Sequence, residues 1–225
     1  MPDAAPGLGK VTWLGHSTVL IELDGVRLLT DPVLRGRVAH LRRVPPAGAV
    51  PKRLDAVLVS HAHRDHLDVP SLARLGRDLR IVVPEGAGRA LRRRGFRQVG
   101  EVVAGEETRV DAVVVRATLA NHGARAVGYM VGGSRQVYFA GDTDVFNDMA
   151  LIAELGKFDV AILPIGGFYT MGVDRAAKAV ELLKVKTVVP MHFATFPALS
   201  GRPDQLQELV GPGVKVLDIK PGDTV

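Results

Sequence analysis

Ser60-His61-Ala62-His63-Arg64-Asp65-His66 places four potential metal ligands within six residues, and three of the chain's seven histidines fall there. Neutral imidazole and carboxylate suit zinc, and also manganese or iron. The apolar stretch Ala56–Val59 before them predicts a short buried strand. Alternation along an extended continuation puts His61 and His63 on one side. A turn into a following helix then aims Asp65 and His66 in a different direction, so one segment can feed two metals. The alternative, a solvated polar loop with incidental histidines, fits this clustering poorly.

A two-metal site needs more donors. The chain has no cysteine, so every ligand is nitrogen or oxygen. Three candidates each stand just beyond a predicted strand: His122 after Val113–Leu119, Asp142 after Gln136–Ala140, and His192 after Thr187–Val189. Strands presenting their carboxyl ends at one edge would bring these side chains together. Singly, each is as consistent with packing or a surface position; the shared context raises all three together.

The positioning elements follow from hydrophobic pattern and turn signals. Strands are predicted at Val11–Leu14, Thr18–Leu23 and Val26–Thr30, with Asp24-Gly25 as a two-residue hairpin turn. Residues 34–52 form a basic loop containing Pro and Gly. Helix and strand then alternate: helix Pro70–Leu75, strand Arg80–Val83, helix Gly86–Arg94. One long strand, Thr108–Leu119, precedes a second hairpin, Val127–Val131 with Gln136–Ala140 around Gly132-Gly133. Helix Asp144–Leu155, strand Asp159–Leu163, helix Asp174–Leu183, strand Thr187–Val189, helix Asp204–Val210 and strand Val214–Leu217 complete the chain. Hairpins early in each half and helix–strand units late in each half imply an α/β (α+β) fold of two mixed sheets packed face to face with helices outside. No linker divides the 225 residues, so residues 1–225 are expected to form one domain.

With 47% hydrophobic and 24% charged residues the chain is an ordinary globular one. It has no membrane-length apolar run and no secretory pattern at Met1–Lys10, and a cytoplasmic setting is expected. The net charge of +5 and pI of about 9.7 are compatible with phosphate-bearing partners but equally with an Arg-rich background. There is no clear nucleic-acid or membrane signal. The expected partner is a small-molecule substrate, phosphate-containing or not; a homo-oligomer is left open.

His-Ala-His-Arg-Asp-His, then His122, Gly141-Asp142-Thr143 and Met191-His192-Phe193, resemble the ordered motifs of the metallo-β-lactamase superfamily over nearly the whole chain. Trp13-Leu14-Gly15-His16-Ser17-Thr18 and Leu29-Thr30-Asp31-Pro32 resemble its N-acyl-phosphatidylethanolamine phospholipase D and ascorbate-6-phosphate lactonase-like branches. Leu163–Gly172 with Val189–Phe193 resembles a poorly characterised bacterial branch of metal-dependent hydrolases. The resemblance implies a four-layer αβ/βα sandwich. It also implies His61, His63 and His122 on one metal, Asp65, His66 and His192 on the other, and Asp142 bridging. The lack of a cysteine ligand sets the chain apart from β-lactam-hydrolysing members, and His63 stands where the resembling diiron enzymes carry Glu.

The expected cofactors are two divalent ions, zinc first, with Mn2+ or Fe2+ as alternatives. About 3.5–4 Å apart, they would lower the pKa of a bridging water from 15.7 towards about 7 and stabilise the developing oxyanion. The expected function is a dinuclear hydrolase using that bridging hydroxide on a phosphodiester or lactone. The alternatives are a nuclease of the same fold, acting on RNA or DNA, and a non-catalytic metal-binding protein. Asp65 is the candidate to orient the nucleophile and take its proton, or it is purely a ligand. His16 lines the pocket, donates to a substrate oxyanion, or makes a structural hydrogen bond. Asp31 fixes imidazole tautomers or caps a turn. Phe168, Tyr169, Met171, Phe193 and Phe196 are candidates for the substrate wall or the core. Arg35, Arg37, His40, Arg42 and Arg43 cover the site or form a solvated loop, and Arg89 with Arg92-Arg93-Arg94 makes an exposed helix face.

Overall fold

A computed structural model of the chain describes residues 9–38, 41–42, 52–123 and 125–225. The first half builds a six-stranded sheet. β1 (Lys10–Trp13), β2 (Val19–Leu23) and β3 (Val26–Thr30) run as an antiparallel meander. Asp24 (φ 51°) and Gly25 (φ 81°) turn between β2 and β3, and two consecutive left-handed residues are what this tight hairpin requires. A short pair, β4 (Arg37–Val38) and β5 (Leu41–Arg42), stands apart. β6 (Ala56–Leu58), α1 (Val69–Leu75), β7 (Arg80–Pro84), α2 (Gly88–Arg92) and β8 (Val99–Val102) follow. The sheet order is β1-β2-β3-β6-β7-β8, parallel from β3 onward.

The second half builds a seven-stranded sheet. Its elements are β9 (Glu107–Val110), β10 (Val113–Leu119), β11 (Val127–Gly132), β12 (Gln136–Phe139), α3 (Met149–Glu154), β13 (Val160–Pro164), α4 (Val173–Leu183), β14 (Thr187–Met191), α5 (Pro203–Val210) and β15 (Lys215–Val216). The order is β15-β14-β13-β12-β11-β10-β9, antiparallel from β9 to β12 and parallel beyond.

Strand alternation sorts the side chains into layers. Leu28, Leu58 and Val82 face the other sheet and share a core with Val115, Tyr129, Phe139 and Ile162. Their neighbours Leu29, Val57 and Ile81 point the opposite way, onto Leu72 of α1 and Leu91 of α2. Burying each such side chain contributes about 1.5–3 kcal/mol. Ile152 of α3, Ala179 and Leu183 of α4 and Leu206 of α5 cover the second sheet. The result is the four-layer arrangement expected, helix–sheet–sheet–helix.

Three elements differ from the sequence pattern. The expected strand Thr108–Leu119 is two strands, folded back at Asp111 (φ 48°). β8 is an unexpected edge strand. The helix expected from Asp144 starts at Met149, because the Asp144 main-chain N–H donates to Asn121 O at 2.9 Å and its carboxylate pairs with Arg175. Among the described residues, no helix is long and apolar enough to cross a membrane.

Strand direction decides where chemistry collects. β1, β3 and β6 run the same way, as do β10, β12 and β14. His16, Asp31, the His61–His66 segment, His122, Asp142 and His192 all follow the carboxyl ends of these strands.

Candidate metal centre

The segment after β6 reaches the edge extended and then winds into a turn, with His66 N and Leu67 N donating to His63 O at 3.1 and 2.8 Å. His61 Nε2 lies 2.9 Å from His63 Nδ1, and His122 Nε2 lies 3.3 Å from the same atom. Nitrogens sharing a tetrahedral zinc at 2.0–2.1 Å stand about 3.3 Å apart. These three donors form one group; Asp65, His66, His192 and His16 form a second, each with its donor atoms within 4.8 Å of one another.

Asp142 Oδ2 lies between the groups. It is 3.2 Å from both His66 Nε2 and His192 Nε2, 3.7 Å from His122 Nε2 and 4.0 Å from His61 Nε2. Gly141 (φ 62°) lets the chain present it there: a Cβ at that position would come within 2.6 Å of Ser60 Cβ and 3.0 Å of Val127 O.

The imidazole tautomers follow from their outer partners. Asp31 is fully buried and accepts from His66 Nδ1 at 2.7 Å, Ser60 N at 2.6 Å and Ser60 Oγ at 2.6 Å. Its oxygens are thus engaged outside the cluster, which makes it an orienting group. Because Ser60 Oγ gives its proton to Asp31, it accepts from His61 Nδ1 at 2.9 Å. His122 Nδ1 donates to Tyr169 O at 3.1 Å. In His61, His66 and His122 Nε2 is therefore the nitrogen that faces inward. His66 Nε2 and Asp142 Oδ1 are buried without a hydrogen-bond partner among the described residues. Convergent donors, two of them buried and orphaned, are what a divalent ion would satisfy, so the residues present fit metal binding.

A cavity of about 590 Å³ opens over the cluster. His63, Asp65, His122, Asp142 and His192 form its floor; Phe168, Tyr169, Phe196 and Leu199 form its apolar wall. A neighbouring cavity of about 690 Å³ shares His63, His122 and Tyr169 and adds Asn121 and Asp144.

The Beta-lactamase superfamily domain matches residues 26–193. A UPF0173 metal-dependent hydrolase of Pyrococcus furiosus is 40% identical over 231 residues, covering 96% of this chain and 98% of the relative. The chain belongs to the UPF0173 metal-dependent hydrolases, within the metallo-β-lactamase superfamily. A solved metallo hydrolase from the archaeon Ignicoccus hospitalis matches this UPF0173 hydrolase with a TM-score of 0.83 at 30% identity, over 96% of this chain and 97% of that one. An isothiocyanate hydrolase from Delia radicum gut bacteria shares the fold, with a TM-score of 0.81 at 23% identity over 96% and 98% of the two chains.

The electrostatics of the UPF0173 site suit cations. Burial opposes charge on Asp142, but His192 and His66 outweigh it and hold the carboxyl well below its usual range. Burial likewise opposes a proton on His66, but Asp142 and Asp31 prevail and raise it well above 6.5. His61 is pushed down to about 2 by burial and by neighbouring His66.

The remaining expectations divide. Met171 and Phe193 belong to the core, Phe193 stacking on Trp13 at 4.8 Å, whereas Phe168 and Tyr169 are exposed on the cavity. Arg35 pairs with Asp68, the cap of α1, so it serves the fold rather than the cavity. Arg37 and Arg42 are exposed, and His40 and Arg43 lie outside the described residues. Two orienting roles had no visible signal in the sequence. Tyr169 orients His122 through its carbonyl, and Thr195 Oγ1 bonds His16 Nδ1 at 3.0 Å.

Proposed function

We propose that this metal-dependent hydrolase works with two divalent ions, one held by His61, His63 and His122, the other by Asp65, His66 and His192, with Asp142 shared. The observation that carries this reading is the place of Asp142 Oδ2, 3.2–4.0 Å from four imidazole nitrogens drawn from both groups. Bound there, such ions would supply an acidified water as nucleophile near neutral pH and a Lewis acid for the oxygen that gains charge. The imidazole-rich donor set favours Zn2+, with Fe2+ and Mn2+ as alternatives.

Asp65 is the proposed proton acceptor. Burial works against its charge, yet His16 and His66 hold its carboxyl below the usual range, and its side chain is one-third exposed on the cavity floor. It is therefore ionised and within reach of substrate. His16, 1% exposed, is withdrawn from substrate, with its Nε2 3.4 Å from Asp65 Oδ2. Residues 1–225 act as one domain in this reading, supported by a core that joins side chains of both sheets.

For the substrate, a lactone or comparable neutral electrophile fits better than a phosphodiester or nucleic acid. Among the described residues, no Lys or Arg lines either cavity, and the wall offers aromatic and aliphatic contacts instead. The fold shared with an isothiocyanate hydrolase is in keeping, since an isothiocyanate is an uncharged electrophile. The resemblance of Trp13–Thr18 and Leu29–Pro32 to phospholipase D-like and lactonase-like motifs keeps a phosphodiester as the second class. Elemental analysis of protein purified without chelator should give about two metals per chain, and none would refute the reading. Turnover of an aryl lactone well above that of an aryl phosphodiester is expected, and the reverse order would reject the substrate assignment.

A further inference from the structure

One buried imidazole of the cluster lies outside the donor pattern already assigned. His16 sits in the loop between β1 and β2, which is closed by Leu14 N to Thr18 O at 2.8 Å and Thr18 N to Gly15 O at 3.1 Å. This loop holds His16 at φ 56°, a left-handed conformation that a non-glycine residue keeps only when its surroundings enforce it. Here the enforcement is visible: the His16 carbonyl accepts from Trp13 Nε1 at 2.8 Å and from the main chain of His192 at 3.0 Å. The ring is thereby placed 4.3 Å from that of His192 and 5.3 Å from that of His66.

The protonation of the ring follows from Thr195. Its hydroxyl has one proton, donated to Phe193 O at 3.1 Å, so toward His16 Nδ1 at 3.0 Å it accepts. Nδ1 therefore carries the hydrogen. With the hydrogen on Nδ1, the neutral tautomer presents its Nε2 lone pair toward the cluster. That lone pair faces a carboxyl oxygen, Asp65 Oδ2, at 3.4 Å. Two acceptors brought together in a buried pocket repel unless a cation stands among them. The donor atoms of His16, Asp65, His66 and His192 all lie within 4.8 Å of one another, which lets one ion reach all four.

We propose that His16 Nε2 is a direct ligand of the metal held by Asp65, His66 and His192, with Thr195 as the positioning residue that fixes its tautomer. The proposal rests on the two-metal reading of the site. It gives each ion three imidazoles, and it gives the buried ion Asp65 in addition. The group His61, His63 and His122, with fewer protein donors and the open cavity beside it, would leave its ion room for a substrate oxygen.

The test is carried out on the full chain loaded with 113Cd2+ and labelled with 15N-histidine, alongside elemental analysis. Long-range 1H–15N correlation should show six of the seven imidazoles with a metal-coupled nitrogen, including His16, assigned through loss of its signal in His16→Asn. Asn is the replacement that tolerates the left-handed backbone. Five coupled imidazoles with His16 uncoupled, at two metals per chain, would overturn the proposal and leave the two-metal reading intact. One metal per chain would overturn the two-metal reading, and the coupling state of His16 would still decide whether it is a ligand. In zinc titrations, Thr195→Val should weaken the second equivalent by about 10–100-fold, as loss of an orienting partner does, and His16→Asn should weaken it further. Unchanged affinity in a folded His16→Asn protein would also overturn the proposal; if that variant does not fold, the coupling count in the unaltered chain decides.

Discussion

Four imidazoles of the site, those of His16, His61, His66 and His192, are buried, whereas His63 is exposed and His122 half-buried. The deep wall and the rim are held differently. Three of the deep rings have a tautomer fixed by side chains: Thr195 for His16, Ser60 backed by Asp31 for His61, and Asp31 for His66. On the rim, His122 is fixed by the main-chain carbonyl of Tyr169, and among the described residues His63 Nδ1 bonds only to the imidazoles of His61 and His122. The deep wall is thus built for fixed geometry. The rim is tied to an exposed aromatic tip, since the Tyr169 carbonyl accepts from His122 while the residue also walls the cavity.

The largest effect should come from the residue that touches both sides. Asp142→Ala removes the oxygen nearest four imidazole nitrogens and should reduce turnover to background while lowering metal content. A fully active variant would remove Asp142 from the mechanism. Next comes the deep wall alone. Asp31→Asn keeps the shape but loses the charge that His66 Nδ1 and Ser60 bond to. Metal affinity should fall by about 10–100-fold, and stability by about 1.5–3 kcal/mol for weakened bonds to a buried charge. Equal affinity in calorimetric titration would show that the tautomers do not depend on Asp31.

Removing the metals should expose a pH signature of the deep wall. His16 and His61 are held neutral, pushed down to about 3 and about 2 from 6.5 by burial and by neighbouring histidines. An unfolded chain takes up both protons near pH 6.5, while the folded one does so only near the lowered values. Their contribution to stability is therefore present above pH 6.5 and lost as pH falls toward 3. His66 acts in the opposite sense. Its pKa is raised, so its contribution is present below pH 6.5 and lost as pH rises through the raised value. With His16, His61 and also His122, whose pKa burial lowers, against His66 alone, the chelated protein should melt lower at pH 5 than at pH 7, by about 2–4 °C for each kcal/mol lost. A higher melting temperature at pH 5 would show that the His66–Asp142–Asp31 cluster dominates.

The deep wall and the rim also differ in how far the sequence displays them. The donors His61 to His66 are legible because four metal-binding types crowd six positions, and Asp31 because it ends a strand beside them. Thr195 is not, since its bond to His16 spans 179 positions and a lone threonine carries no motif. Tyr169 contributes a carbonyl, which every residue has, so its type gives no hint. In the fold, the β9–β10 turn hides inside an apolar run, Val110-Asp111-Ala112-Val113, where only Asp111 interrupts the pattern. The late start of α3 is equally hidden, because it depends on the tertiary bonds Asp144 makes to Asn121 and Arg175. Local chemistry is readable from residue types; partners set by the meeting of two sheets are not.

The smallest expected effect tests the rim. Tyr169 has φ 73°, so Tyr169→Asn removes the ring with the least backbone strain and keeps the carbonyl that holds His122. If the ring only contacts substrate, metal content stays unchanged and kcat/KM for an aryl or alkyl lactone falls by roughly 10-fold, mostly in KM. A small lactone without an apolar arm should lose almost nothing, because it never reaches the wall made by Phe168 and Tyr169. Were metal affinity to fall as well, the tip and His122 would move as one, and the rim would share the deep wall's structural task instead of serving substrate choice alone.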